Sequence, residues 1–521
     1  MTPMLSRRLI LMTLCLCAFA VNLDVTLVNV TLPRLVVDLG ASTRDLQWIV
    51  DAYTLTFAAL VLASGTLADR FGRREALLVG LVVYAVGNGL AALTTTTGAL
   101  IATRAVMGLG AAIIFPTTLS ILTNVFTERR ERAQAIGLWG AVTGVAIALG
   151  PIVGGALLQS ASWQATFLIK VPLAIVVGAL VLWVVPTSRD PETPPVDRPG
   201  LVLSTAAVAA LVFTIIEAPG AGWATPRTLG GFVAAVALAA LFARHERRIA
   251  HPMVDLGLFA NRRFSAASLS VTISFFALGG FIFLIIQYFQ FLKGYGPLET
   301  GVRLLPVATS VAVGSVLGTA LAVRRGTKLV VTAGLGLLTC AYAWISGNQV
   351  TTSYLEIAGQ MVVLGTGMGL TSAPATESIM GAVQRTKAGV GSAINDATRE
   401  LGGTLGVAII GSVYASLYGR GLSDGRARGV PSGAATAARD SIGAALTAAG
   451  RLSASGAPGA GSALRDAASS GFFDGLRAGC LVAAGVCAVG AVLSVAWLPA
   501  QPPAEAAVPA TATPRLAPVE A

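Results

Sequence analysis

The sequence predicts an all-α integral membrane protein, and three observations lead to that fold class. Of its 521 residues, 55% are hydrophobic and only 12% are charged. A soluble chain of this length cannot bury so much apolar surface. The apolar residues also lie in runs long enough for spanning helices, which need about 20 residues, and too long for the strands of a membrane barrel.

Fourteen apolar runs are predicted to cross the membrane as helices, and we number them spans 1 to 14. In chain order they cover residues 9–32, 47–68, 76–94, 98–124, 133–159, 163–186, 200–218, 228–243, 264–292, 298–322, 328–347, 354–383, 388–416 and 474–498. Most of the chain is therefore expected to lie within or beside the bilayer.

The distribution of basic residues predicts that both termini are cytoplasmic. Lys and Arg collect in cytoplasmic loops. With the N-terminus inside, they concentrate in the N-terminal arm and the loops that follow the even-numbered spans, whereas the short outer loops hold few. The net charge of +11 then follows from membrane topology, and no nucleic-acid partner is needed to explain it.

The remaining segments carry weaker signals. Arg7 and Arg8 before an apolar run resemble a signal peptide, but the run continues past any cleavage site, which favours a retained first span. All five cysteines fall inside spans, so no disulfide framework is expected, and no metal-ligand spacing occurs. Residues 417–473 are predicted to form a long outer loop, flexible or with short amphipathic helices. Residues 499–521 are predicted to be a disordered cytoplasmic tail.

Several ionisable residues lie inside predicted spans, where each costs about 2.5–3.5 kcal/mol at the bilayer centre and so needs a reason. Two further acids, Asp51 and Glu217, lie near the outer ends of spans 2 and 7 and are predicted to be interfacial. The ionisable residues deeper in the spans are Asp24, Arg104, Lys170, Glu377, Asp396, Arg399 and Glu400.

Asp24, midway along span 1, is the leading candidate for a functional carboxylate. Because desolvation disfavours its charged form, it could take up and release a proton, and when charged it could attract a cationic ligand. Arg104 could tune such a site, since its own charge is permanent. The alternative is a fixed Asp24–Arg104 ion pair that only holds helices together.

The other buried charges have more balanced interpretations. Asp396, Arg399 and Glu400 share one face of span 13, where an Asp396–Arg399 pair could be structural or functional. Glu377, in the inner third of span 12, is the second candidate for a proton or cation site. Lys170 lies only about 10 Å deep at ~1.5 Å per residue, so outward snorkelling is the simplest expectation.

Four motifs resemble the major facilitator superfamily, specifically its fourteen-helix drug:proton antiporter branch of the EmrB/QacA type. LDVTLVNVTLP at 23–33 is similar to the helix 1 signature and puts Asp24 on its acidic position. LIATRAVMGLGAA at 100–112 is similar to the helix 4 motif, with Arg104 and Gly108. The other two are GTLADRFGRR at 65–74, with Gly65, Asp69, Arg70, Gly72 and Arg73 on the family positions of the loop between helices 2 and 3, and GPIVGG, the helix 5 antiporter motif, with Gly150, Pro151, Gly154 and Gly155.

The resemblance implies two six-helix bundles plus two extra helices. On that basis the N-terminal bundle is expected at 1–187 and the inserted spans 7 and 8 at 188–262. The C-terminal bundle is expected at 263–498 and the tail at 499–521. The two bundles would rock about a central site. Gly65 and Gly72 would allow sharp turns, and Asp69, Arg70 and Arg73 would form a cytoplasmic latch.

The start of span 6 departs from the family pattern. It reads WQATFLIKVP where the family typically has an Arg, a second Trp and an Asn, so that Gln164, Ala165 and Lys170 stand in those places. The helix 5 motif also has Ala146 where a Gly is common. The fold is unaffected by these differences, but the outer gate or the substrate preference would differ.

The sequence therefore predicts a proton-coupled antiporter that exports hydrophobic, cationic or amphipathic drugs across the cytoplasmic membrane as a monomer without a cofactor. Tyr53, Phe57, Phe115 and Phe283 could stack on a ligand, although most are expected to pack. The alternatives are an exporter dedicated to one natural product, and a non-transport membrane sensor. An enzyme is not expected, because His245 and His251 are the only histidines and no GxxxxGK[ST] phosphate loop occurs.

Overall fold

The computed structural model describes residues 3–189, 197–250, 252, 254, 256–383, 388–423, 430–431, 438–439 and 441–499. This part of the chain is almost entirely helical and contains no β-strand, as the composition predicts. Every predicted span coincides with a helix or with two helices that follow each other directly. A tail at 500–521 lies outside the described residues, so its predicted disorder stays a prediction.

The first half of the molecule consists of helices α1 to α7, followed by the inserted pair α8 and α9. Their bounds are Pro3–Leu39 (α1), Thr43–Phe71 (α2), Arg73–Leu93 (α3), Thr97–Val125 (α4), Arg129–Ser160 (α5), Ala165–Leu168 (α6), Lys170–Val184 (α7), Arg198–Ala221 (α8) and Pro226–Glu246 (α9). Span 6 is divided between α6 and α7.

The second half begins after a short 3-10 turn at Leu256–Ala260. Its helices are Arg262–Gln287 (α10, extended by a π-helical turn at Tyr288–Leu292), Pro297–Arg303 (α11), Leu305–Arg325 (α12), Thr327–Ile345 (α13), Tyr354–Ala382 (α14), Ala388–Ser423 (α15), Ile442–Ala454 (α16) and Pro458–Trp497 (α17). Span 10 is divided between α11 and α12.

Twelve helical segments in the described residues are long and apolar enough to cross a membrane. Helices α2 and α14 occupy the two remaining predicted spans but are not among these twelve. The chain is a multi-pass membrane protein, while the count of fourteen crossings stays a prediction.

The ends of the helices follow local sequence signals. Ser42 caps α2 in a capping box, in which Asp45 N donates to Ser42 Oγ and Ser42 N donates to the Asp45 carboxylate. Gly72 separates α2 from α3 with φ of 122°, a conformation that glycine adopts readily. Gly65, by contrast, lies inside α2. The prediction of a turn at Gly65 was wrong, because the helix continues through the motif until Gly72 breaks it.

Much of the segment predicted as a long outer loop is helical. Helix α15 continues to Ser423, α16 occupies Ile442–Ala454, and α17 already begins at Pro458. The prediction of a 417–473 loop is therefore corrected, although its alternative of short helices holds for α16. Helix α16 packs on the extension of α17 because Ile442, Ala445 and Ala449 are fully buried.

The two halves touch at the ends assigned to the outer side. The place of a Cβ on Gly155 in α5 lies 2.5 Å from Pro297 O, and that of Gly301 in α11 meets Pro151 O. Elsewhere in the interface, Gln47 Nε2 donates to Ala408 O at 3.0 Å and to Ser412 Oγ at 3.2 Å. Because backbone meets backbone here, any side chain at these glycines would separate the halves.

The helix 5 motif also fixes α5 against α1. A Cβ on Gly150 would lie against Thr26 Oγ1 and 3.0 Å from both Leu23 O and Leu27 N. Leu27 and Gly154 make the next contact along the same helix pair. The small residues thus allow α5 to approach the stretch of α1 that carries Asp24.

This packing predicts the effect of one added methyl group. Gly150→Ala should lower the midpoint of thermal unfolding in detergent, with a loss of about 1–3 kcal/mol, because the clash is with backbone atoms that cannot rotate away. Gly144→Ala on the same helix is the matched control, since no atom lies within 4 Å of its Cβ position. An equal loss of stability in both variants would contradict close α1–α5 packing at Gly150.

Candidate functional site

A buried cluster of three charged side chains lies in the first half. Asp24 comes from α1, Arg104 from α4 and Lys170 from the first residue of α7. Arg104 Nη1 donates to Asp24 Oδ2, and Lys170 Nζ donates to Asp24 Oδ1. Each of the three side chains is at most 1% exposed. We call these three residues the Asp24 cluster.

Arg104 is held by more than its ion pair with Asp24. Its Nε donates to Ile49 O at 2.8 Å, and its guanidinium lies over the Tyr53 ring at 4.5 Å. Gly108, one turn further along α4, makes this possible because a Cβ there would run into Tyr53 O. The predicted Asp24–Arg104 contact is present, and α2 fixes its geometry.

Lys170 does not snorkel outward, so that expectation was wrong. It lies directly after the break between α6 and α7, and its ammonium is 4.7 Å from the centre of the Phe167 ring. Sequence spacing predicted its depth along span 6, but spacing does not reveal a counter-ion on another helix. Asp24 is that counter-ion: its Oδ1, the oxygen that Arg104 does not contact, accepts from Lys170 and makes burial of the ammonium tolerable.

The charges of the cluster do not cancel when all three groups are ionised. One carboxylate faces two cations, which leaves a net charge of +1 in a place that water does not reach. Both oxygens of Asp24 are occupied. In this conformation, therefore, neither oxygen of Asp24 is available to a third positively charged group.

Asp51 is a second buried acid, and its predicted interfacial position was wrong. The residue is 0% exposed, and neither carboxyl oxygen has a hydrogen-bond partner among the described residues. It lies on α2, which packs against α15, and one turn away Thr404 donates to Thr54 at 2.8 Å across that interface. Sequence position alone suggested exposure, because it could not show that α15 covers this end of α2.

Glu217 behaves as predicted for an interfacial residue. Its carboxylate accepts a hydrogen bond from Arg44 Nη1 at 3.3 Å, and the Arg44 side chain is 58% exposed. Glu217 therefore belongs to a surface ion pair between α8 and the start of α2.

The candidates in the second half are not part of the Asp24 cluster. Glu377 is exposed near the end of α14, close enough to Arg263 for an electrostatic interaction. On α15, Asp396 and Arg399 are half-buried, and no ion pair within 4 Å joins them in the described structure. Arg399 Nη2 instead donates to Thr376 Oγ1 at 3.1 Å. The roles predicted for these residues stay predictions.

The motif between α2 and α3 packs onto the end of α7. Arg73 N donates to Ser188 O at 2.9 Å, and Arg74 Nη2 donates to Leu182 O at 3.1 Å. Arg70 is exposed, and its guanidinium lies 5.9 Å from the Phe71 ring centre. The side chain of Asp69 lies outside the described residues, so the predicted latch stays a prediction.

The aromatic candidates lie in the core. Tyr53 and Phe283 are fully buried, and Phe57 and Phe115 are at most 8% exposed. Phe115 also packs against Trp139, with ring centres 4.8 Å apart. Their positions match the expectation that most of these rings pack in the core.

A polar cluster that the sequence did not reveal joins the start of α8 to the end of α9. Asp197 caps α8 by accepting from Gly200 N at 3.0 Å, and the same carboxylate oxygen lies 2.8 Å from His245 Nε2. Burial acts to raise the pKa of Asp197, but the hydrogen bonds from Gly200, His245 and Glu246 outweigh it, so its pKa lies below the usual value. The signal was hidden because His245 is 48 residues away from Asp197.

No group of three or more His, Cys, Asp or Glu side chains that could hold a metal ion occurs in the part of the chain that the structure describes. The chemistry available in the Asp24 cluster is exchange of protons and ion partners. Such exchange suits binding and transport more than bond-making.

Comparisons with known proteins identify relatives of this chain. A model of the Major Facilitator Superfamily matches residues 14–407. The multidrug efflux pump LfrA of Mycolicibacterium smegmatis is 33% identical over 492 residues, which are 94% of this chain and 95% of LfrA. The tetracenomycin C resistance and export protein of Streptomyces glaucescens is 34% identical over 403 residues, 77% of this chain and 74% of that protein.

The overall fold is also similar to that of a solved transporter. A bacterial homolog of the human lysosomal transporter Spinster, in an inward-facing and occupied conformation, superimposes with a TM-score of 0.69. The match covers 94% of this chain and 97% of that one at 18% identity. From the family match and the fold together, this chain belongs to the major facilitator superfamily and is a membrane transporter rather than an enzyme.

Proposed function

We propose that this protein is a proton-driven antiporter that exports hydrophobic, cationic or amphipathic compounds from the cytoplasm. The observation that carries the proposal is the Asp24 cluster, in which a buried carboxylate is paired with two cationic side chains. A buried acid of this kind is the usual mark of a proton or ion pathway in a membrane. Similarity to the multidrug efflux pump LfrA supports the substrate class.

The contacts between the halves support an alternating-access cycle. At the outer ends, Gly155 and Gly301 bring α5 and α11 into backbone contact. Because glycine has no side chain, these ends could separate at Gly155 and Gly301 without a change in the conformation of either residue's side chain. Opposite motion at the cytoplasmic ends would then expose the central region to one side at a time.

The complete machinery is proposed to work within one chain. The energy source would be the proton gradient, without a cofactor, and the substrate would be a small molecule. Both termini would be cytoplasmic, as the distribution of basic residues predicts. The division at 1–187, 188–262 and 263–498 would correspond to two moving bundles and an inserted pair.

Export of one dedicated natural product is the second candidate function. It is supported by the similarity to the tetracenomycin C resistance and export protein. The two functions differ in breadth of substrate rather than in mechanism, so a transport assay with an unrelated lipophilic cation separates them.

Proton-driven transport of ethidium, a fluorescent lipophilic cation, provides the direct test. In inverted vesicles with an acidified interior, the wild-type protein should accumulate ethidium, and a protonophore should abolish the uptake. Asp24→Asn should reduce the uptake to that of vesicles without the protein, because the site loses its only charge that attracts cations.

Glu217→Gln is the matched control, since it removes a carboxylate from a surface ion pair without touching the Asp24 cluster. Its transport should remain near the wild-type rate. Equal transport by the wild type and Asp24→Asn would move the coupling site away from Asp24. Absence of ethidium transport by the wild type would contradict broad cation export and favour the dedicated exporter.

The two buried acids should differ in their effect on stability. Asp24→Asn leaves two buried cations without a counter-ion and should lower stability by about 3–5 kcal/mol. Among the residues that the structure describes, no hydrogen-bond donor contacts the Asp51 carboxyl group, so we infer that it is protonated in this conformation. Asp51→Asn then exchanges one neutral polar group for another of the same shape and should change stability by less than ~1 kcal/mol.

Thermal unfolding of the purified variants in detergent at neutral pH measures this difference. The midpoint for Asp24→Asn should fall well below that of the wild type, and the midpoint for Asp51→Asn should stay close to it. A large loss for Asp51→Asn would mean that Asp51 is charged and paired in the protein, which would contradict the inference of a neutral carboxyl.

A further inference from the structure

Lys170 is unexplained by the proposed function. It makes a direct ion pair with the central carboxylate of the site, although its depth had suggested that it would snorkel outward. A neutral side chain here would leave Asp24 and Arg104 as a balanced pair. The lysine adds a second cation to that pair and fills the remaining oxygen of Asp24.

The two cations of the cluster are held differently. Arg104 is fixed by Asp24, by Ile49 O at 2.8 Å and by the Tyr53 ring. Lys170 has Asp24 and the Phe167 ring. Arginine keeps its proton under all conditions in proteins, whereas a buried lysine can lose its proton. Lys170 is therefore the cation that can leave Asp24.

The other titratable groups around Lys170 are each held by partners, which leaves Lys170 as the group that can exchange its proton. Helix α1 contributes Asp24, whose negative charge is stabilised by two cations, and α4 contributes Arg104. Helix α2 contributes Tyr53, whose hydroxyl donates to Val21 O at 3.3 Å, and α3 contributes Tyr84, whose hydroxyl donates to Ala20 O at 3.0 Å. Both tyrosines thus use their protons in hydrogen bonds.

We propose that the Lys170 side chain competes with the cationic substrate for binding to Asp24. When protonated, its ammonium occupies Oδ1 of Asp24. When it releases its proton, the neutral amine loses its attraction to the carboxylate, and Oδ1 becomes free for the positive group of the substrate. The proposal rests on the proposed function, since it requires a cationic substrate and a proton gradient.

The exchange balances in protons and in charge. On the cytoplasmic side the ammonium gives one proton to water, and a monovalent substrate cation takes its place at Asp24. The site carries a net charge of +1 before and after this exchange. On the outer side the substrate leaves, and the amine takes one proton from water. One proton therefore enters for each cation that leaves, and binding of one excludes the other.

Ethidium binding to the purified protein as a function of pH tests the proposal. The affinity of the wild type should rise with pH, by up to about tenfold per unit, because each bound cation displaces one proton. Lys170→Asn removes the competitor and keeps a polar side chain at this position. Its affinity should be independent of pH and should equal or exceed that of the wild type at low pH.

Lys170→Arg should have the opposite effect. A permanent cation at this position would occupy Asp24 at every pH, so ethidium should bind weakly throughout and proton-driven transport should be lost. Lys170→Gln serves as a second neutral variant in case Lys170→Asn folds poorly. Lys328→Asn, which removes a lysine at the start of α13 in the other half, is the control and should keep the wild-type pH dependence.

The possible outcomes distinguish a failure of this proposal from a failure of the proposed function. If both neutral variants keep the wild-type pH dependence, the proton is exchanged elsewhere and the role of Lys170 is overturned, while cation export stands. Loss of the pH dependence in Asp51→Asn instead would assign the proton to Asp51. If the wild type binds no ethidium at any pH, cation export itself is contradicted.

Discussion

The pairing of Asp24 with two cations is the interaction on which the first half depends. Three helices, α1, α4 and α7, each place one charged group in a region that water does not reach. None of the three groups would be tolerated there alone, because an unpaired buried charge is strongly destabilising. The cluster therefore fixes the rotation of these helices about their own axes. Hydrophobic packing fixes rotation only weakly in a membrane, since lipid and side chains are equally apolar.

Small residues make this pairing geometrically possible. Gly108 brings α4 against the backbone of α2, and Gly150 brings α5 against α1 close to Asp24. Further along α5, Gly155 meets α11 of the other half. Helix α5 therefore contacts both α1, the helix that carries Asp24, and α11 of the other half.

Helices α8 and α9 are joined to this machinery through apolar contacts of α8. Helix α8 packs on α2 and α15 at the boundary between the halves, where Val212, Ile215 and Ile216 form a small buried cluster with Ala408. Where α8 begins and α9 ends, Asp197 and His245 tie these two helices to each other. Apolar contacts therefore connect α8 to the two halves, whereas the Asp197–His245 contact connects α8 to α9.

The sequence by itself determined the membrane class, the positions of most helices and the family, and it offered the Asp24–Arg104 contact as one alternative. These features depend on local composition, on the rise of a helix and on motifs whose residues are adjacent in the chain. Only the tertiary structure decided the partners of Lys170, the burial of Asp51 and the helical character of residues 442–454. Sequence spacing gives the depth of a residue along its own helix. It does not give the direction in which the side chain points or the helix that covers it, and those two quantities decide whether a charge is exposed or paired.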